Sequence, residues 1–216
     1  MKTNDLVNSL AAGTGRPRPR LKPPMLRTIT WLAVSLPWIA MVVAFMGLRP
    51  ELADKFGEAR WLAEQIAAAL TGLTAAIAAF CSVVPGRSRW ERVLPAIPLF
   101  VWMSLVGAGC LRDWSVPGAG FKSDWACLPG IAMVGLAPAL AMAIMLRRGA
   151  PLSPVYSLGL GGLAATALAD FGLRLFHAED AGLMVLVWQL GSVALFTLIC
   201  AQFGRWLLRW RHVSLP

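Results

Sequence analysis

Charge is scarce in this 216-residue chain: Asp, Glu, Lys and Arg make up 14% of it, against about 25% in an ordinary soluble domain. So little charge excludes most water-soluble folds, and an apolar content of 57% excludes intrinsic disorder. Cysteine is sparse as well. Four residues without CxxC or CxxH spacing exclude a disulfide-stapled miniprotein and a four-ligand zinc site. Glycine has no three-residue period, which excludes collagen. A Gly-rich phosphate loop, GxSxG and HExxH are all absent, so an enzyme reading has nothing to build on. What the chain does have is long apolar runs, and the remaining class is an all-α polytopic membrane protein.

A bilayer crossing needs about 20 apolar residues. Six runs meet that length between charged or Pro/Gly-rich borders: 28–48, 61–84, 93–111, 127–146, 155–176 and 183–208. Alternation of period two is absent and Ala, Leu and Met are abundant, so the runs read as helices rather than barrel strands. The expected organisation is a cytoplasmic N-terminal segment and basic tether (1–26), a six-helix transmembrane domain (27–210) and a short cytoplasmic tail (211–216). Residues 1–27 carry six basic side chains and no apolar core, unlike a cleaved secretory signal, so the first span is expected to remain as an anchor. Assigning alternate loops to alternate sides puts fourteen basic residues on the side of the termini and six on the other. By the positive-inside rule both termini are then cytoplasmic. The same residues explain the net charge of +9 through topology and anionic headgroups, with no need for direct nucleic-acid binding. Trp31, Trp61, Trp90, Trp114, Trp125, Trp206 and Trp210 lie near span borders, where interfacial anchors belong.

Lipid supplies no hydrophobic drive between helices, so small residues must provide close packing. Ser157, Gly161, Ala165 and Ala169 repeat every four residues in the fifth span, and Ala68, Gly72 and Ala76 do so in the second. These faces are expected to be helix contacts, within one chain or in a homo-oligomer; a substrate path lined by small residues is the alternative. Pro37, Pro95, Pro98, Pro129 and Pro138 lie in or beside spans, where proline is tolerated and can kink a helix.

Few side chains could carry chemistry. Asp170 is an acid well inside a span, and Arg174 one turn further on is placed to pair with it. That leaves open a structural ion pair or a small ion-coupled transporter. Cys110 and Cys127 fall at the outer ends of the third and fourth spans. A disulfide between them, soft-metal binding as thiolates, a membrane redox function and plain helix packing all remain open. His177 heads an outer loop with Glu179 and Asp180, where it could titrate or contribute a metal ligand. No cofactor is expected. At the N-terminus, Asn4 or Asp5 can cap a short helix with Leu6, Val7, Leu10 and Ala11 on one face. About ten residues are too few for a stable isolated helix. Such a segment folds on a surface, either the membrane or a partner's groove. The apolar face is narrow and lacks a basic flank, which favours a partner.

The chain also resembles a known family, the NrsF-type membrane anti-sigma factors that restrain SigF-like extracytoplasmic-function sigma factors. The resemblance covers nearly the whole chain. It rests on Met1-Lys2-Thr3-Asn4-Asp5-Leu6-Val7 through Leu10-Ala11, on Cys127 opening the fourth span, and on the loop Leu146-Arg147-Arg148-Gly149-Ala150-Pro151-Leu152-Ser153-Pro154. It extends to Val187-Trp188 and to Gly204-Arg205-Trp206-Leu207-Leu208-Arg209-Trp210. It implies a non-enzymatic regulator of the bacterial inner membrane that holds its sigma factor through Asp5, Leu6, Val7 and Leu10 and releases it on an envelope, metal or redox stress. The resemblance also implies signal input at periplasm-facing cysteines, one matching Cys127. The second family cysteine, expected after a histidine, is Ala178 here. Cys110 substituting for it, or His177 acting with Cys127, are the alternatives.

Overall fold

A computed structural model describes residues 3–5, 7–8, 21–115, 127–149, 152–178 and 182–208. Among these residues the fold is all-α, with eight helices: α1 (Pro24–Met46), α2 (Leu52–Lys55), α3 (Ala59–Ser82), α4 (Ala96–Trp114), α5 (Cys127–Leu146), α6 (Pro154–Leu173), α7 (Gly182–Met184) and α8 (Gly191–Leu207). A 3₁₀ turn, Arg89–Arg92, precedes α4, and a π-helical segment, Val185–Leu190, joins α7 to α8 in one continuous rod. The six expected runs thus emerge as six long helical rods. Cys127–Leu146 coincides with its run to the residue.

Local chemistry accounts for several boundaries. Pro24 and Pro154 stand in the first turns of α1 and α6, where the missing N–H has no intrahelical partner to lose. Gly47, at φ +83°, ends α1 and donates its N–H to the Val43 carbonyl. Pro37 and Pro138 lie inside α1 and α5, which continue past them.

Five helical stretches are long and apolar enough to cross a membrane: Pro24–Met46, Ala59–Ser82, Arg89–Arg112, Cys127–Leu146 and Val185–Leu207. The chain is a multi-pass membrane protein. Helix α6 has a span's length but is not among the five. Its sequence is rich in Gly and Ala and carries Asp170, a composition suited to protein rather than lipid neighbours. It is the central helix, packed against α3, α5 and α8 and touching α1. Large apolar side chains such as Phe45, Ile97, Phe100 and Leu111 face outward. Glu64, Asp170, Arg174 and Gln189 are buried. Apolar outside and polar inside is what lipid as solvent selects.

The small-residue faces are helix contacts, as expected. A Cβ added at Gly72 of α3 would come within 3.2 Å of the Ala164 carbonyl oxygen of α6. One at Gly161 would come within 2.7 Å of Met142 Cγ of α5. Ser82 donates to Ser157 Oγ at 2.8 Å, closing α3 on α6. Gly204 of α8 lies against the backbone of Pro154, and an added Cβ would overlap that carbonyl. Backbone cannot swing aside, so Gly204→Ala is expected to cost about 1–3 kcal/mol, read as a lower midpoint of thermal unfolding in detergent. Gly107→Ala, with open space at its Cβ, serves as the control.

The tryptophans depart from expectation in part. Trp90 and Trp206 are exposed as interfacial anchors would be, but Trp31 and Trp61 are buried in the bundle. Trp31 is drawn inward because its indole N–H donates to the Pro138 carbonyl at 2.9 Å. Trp114, Trp125 and Trp210 lie outside the residues whose side chains are described.

Candidate functional site

Chain reversal brings the C-terminal end of α1, the N-terminal end of α3, the C-terminal end of α6 and the N-terminal end of α7 together at one end of the bundle, around the first residue of α5. Cys127, that residue, is fully buried. Its Sγ lies 3.4 Å from Nε2 of His177, four residues beyond the end of α6. The Cys127 thiol also donates at 3.8 Å to Sδ of Met184, an almost completely buried residue of α7. The three side chains form a chain of contacts from His177 to Cys127 to Met184. Thiolate, imidazole and thioether are the donor types that soft metal ions select. The thiolate is also the form that reacts with oxidants and electrophiles. No group of three or more His, Cys, Asp and Glu residues able to hold a metal occurs among the described residues. The cluster owes its third donor to methionine.

The structure therefore unites two of the three expected sensing residues. Cys110 is a free, buried thiol near the C-terminal end of α4, so it is not bonded to Cys127. Two donors stand beside Cys127: His177, which the sequence offered as an alternative, and Met184, which it did not suggest.

The loop bearing His177 is fixed by buried arginines. Arg49, between α1 and α2, donates from its guanidinium to the carbonyls of His177 (3.3 Å) and Ala178 (3.0 Å), and its backbone N–H donates to Leu175 O at 3.1 Å. These carbonyls continue beyond the end of α6, where a helix leaves acceptors unsatisfied and a cation is favoured. Glu51 lies 3.6 Å from the same guanidinium on its exposed side. Arg174 donates to Glu64 of α3 at 2.6 Å, with both side chains 3% exposed. Glu64 accepts a second bond from Arg60 at 2.8 Å, and the Arg174 guanidinium stands 5.9 Å from the Trp61 ring.

This corrects the expectation that Arg174 pairs with Asp170 on its own helix. Arg174 caps α6, and from that position its guanidinium reaches across to α3. Asp170 is buried, and its Oδ1 has no hydrogen-bond partner. Gln189, in the π-helical segment, likewise has both amide atoms buried without partners. At the N-terminus, residues 3–5 and 7–8 are helical, so Asn4 and Asp5 lie within the helix rather than capping it. An acid in a first turn still meets the positive end of the helix dipole. Asp5 and Val7 are exposed; Leu6, Leu10, Glu179 and Asp180 lie outside the described residues.

The described residues thus form a bundle of apolar-surfaced helices with a Cys–His–Met cluster at one end. The family model described as "Negative regulator of sigma F" (NrsF) matches residues 10–210. With that match spanning most of its length, the chain belongs to the NrsF family. It is 30% identical over 224 aligned residues to the anti-sigma-F factor NrsF of Caulobacter vibrioides (strain NA1000 / CB15N), covering 97% of this chain and 100% of that protein. No solved structure matches the chain.

Proposed function

We propose that this protein is a membrane-bound anti-sigma factor that sequesters a sigma-F-type factor through its short N-terminal helix and releases it when the Cys127 cluster reacts. Family membership over residues 10–210 carries the reading. The helical, exposed Asp5 and Val7 support the choice of binding segment, because an apolar face of that length gains stability only against a partner. In this reading both termini are cytoplasmic, α6 is the sixth crossing, and the Cys127 end of the bundle faces the periplasm of a bacterial inner membrane. The basic residues crowd the opposite end, where Arg87, Arg89, Arg92, Arg147, Arg148 and Arg205 lie, in keeping with that orientation. The signal is a thiophilic species, a soft metal ion or an electrophile, for which Cys127, His177 and Met184 provide the donors.

The test is co-purification of the sigma-F-type factor of the same organism with the full-length chain from membranes. Capture is expected, and it is expected to be lost on deleting residues 1–20 or in Leu6→Asp with Leu10→Asp. Charges on the narrow apolar face would need desolvation without partners, costing several kcal/mol. Undiminished capture by the double variant would remove the N-terminal helix from the interface.

A further inference from the structure

The reading above leaves unexplained how a buried cluster at one end of the bundle could alter a binding segment at the other. Only one of the rods adjoins that segment directly: α1, whose first residue, Pro24, follows it along the chain. The same rod ends beside the cluster. Arg49, three residues past the end of α1, is 3% exposed, and its bonds to the His177 and Ala178 carbonyls hold the two ring-bearing and ring-flanking peptide units. Its own N–H on Leu175 O secures the loop a third time. Movement of His177 toward or away from Cys127 therefore acts on the C-terminal end of α1.

Along its length α1 packs apolar side chains into the core, Ile39 lying against Gly172 of α6, and adds three side-chain donors aimed at α5. Trp38 Nε1 donates to Met133 O at 3.3 Å, Trp31 Nε1 to Pro138 O at 2.9 Å, and Arg27 to Met145 O at 2.6 Å. All three acceptors are backbone carbonyls of α5, the helix that begins with Cys127. At the far end the Arg27 guanidinium also lies 4.5 Å from the Phe80 ring. Helix carbonyls recur along an axis, so donors of this kind can exchange acceptors as one rod shifts on another. A rod held that way can have two seats, which is the requirement for transmitting a signal. Helix α3, by contrast, fixes the loop through the Glu64–Arg174 pair and has no chain connection to the N-terminal segment.

We propose that α1 is the transmission element of this regulator and that Arg49 is its coupling residue, passing the state of the Cys127–His177–Met184 cluster to the N-terminal segment. This rests on the anti-sigma reading. Arg49 is thus a positioning residue, acting through the His177 loop rather than on the signal itself.

The experiment measures sigma-factor affinity for the full-length chain in lipid nanodiscs, before and after perturbing the cluster. Two perturbations are used: loading with Ag⁺ as a thiophilic probe, and the substitution Cys127→Trp, which displaces His177 whatever the natural signal is. The quantity read is the ratio of Kd with and without the perturbation. In the parent protein the ratio is expected to be at least tenfold, equivalent to about 1.4 kcal/mol of coupling. In Arg49→Met, which keeps the buried stem but has no donors, it is expected to fall below twofold. Arg49→Lys, which can reach one carbonyl but not both, is expected to give an intermediate ratio and serves if the Met variant does not fold. A merely structural arginine would change the absolute Kd or the unfolding temperature and leave the ratio as in the parent. An unchanged ratio in both variants would overturn the proposal, as would a ratio near one in the parent under both perturbations. Absence of sigma binding by the unperturbed parent would instead remove the anti-sigma reading itself.

Discussion

Glu64→Leu is expected to destabilise the bundle by about 3–5 kcal/mol, because it strips the counter-charge from an arginine that is already out of solvent. Arg174 is 3% exposed and its ion pair with Glu64 is 2.6 Å long. Arg60 loses its bond to the same carboxylate, but its side chain is 37% exposed and can be rehydrated. Most of the loss therefore comes from Arg174. Unfolding in detergent, followed by circular dichroism, measures it. Deleting the pair together should be milder than deleting half of it, since the penalty lies in a buried charge that has lost its Glu64 partner rather than in the absence of a bond. The double variant Glu64→Leu with Arg174→Met is accordingly expected to recover more than half of the lost stability. Additive losses in the two single variants and the double would show that the pair is not energetically a unit.

Asp170 provides the contrast. It is as deeply buried as Glu64, yet its Oδ1 accepts no bond. It stands within the electrostatic reach of Arg174 but forms no ion pair with it. The charged layer between α3 and α6 is made by Arg60, Glu64 and Arg174. Lipid on the outside gives such a layer no way to disperse.

Much of this fold was legible beforehand because a bilayer constrains helix length and polarity so tightly. The six runs became six rods, and the Ala68/Gly72/Ala76 and Ser157/Gly161/Ala165 faces do meet neighbouring helices. What escaped detection was pairing between distant residues. Glu64 lies near the border of its run, where only Arg60 one turn earlier marks it as half of an ion pair and nothing marks Arg174 as the other partner. Arg49 read as one more loop cation, because nothing in its spacing relates it to carbonyls beyond α6. Met184 was indistinguishable from a core methionine, and periodicity does not reveal a π-helical segment. Trp31 and Trp61 sat at borders where lipid headgroups were the expected company. Burial came instead from the Pro138 carbonyl for one and the Arg174 guanidinium for the other.

Cys127→Ser is expected to abolish signal-induced release, leaving capture of the sigma factor intact. The substitution removes one soft sulfur from a buried site and inserts a hydroxyl of nearly the same shape, so the effect should fall on reactivity before stability. Fully buried, Cys127 should be alkylated slowly by a membrane-permeant maleimide in the resting protein, and release of the sigma factor should track its alkylation. The neighbours separate the two kinds of signal. Met184→Leu keeps the shape of the pocket but removes the thioether, so it should weaken the response to Ag⁺ and leave the response to maleimide nearly unchanged. His177→Gln should impair both, because His177 supports the thiolate and also carries the movement of its loop. Release assayed in membranes from cells expressing each variant distinguishes these outcomes. Full release from Cys127→Ser under either reagent would place the responsive thiol elsewhere, with Cys110 the next to replace. A loss confined to Cys127→Ser, with His177→Gln behaving as the parent, would show that the imidazole contact is packing rather than part of the sensor.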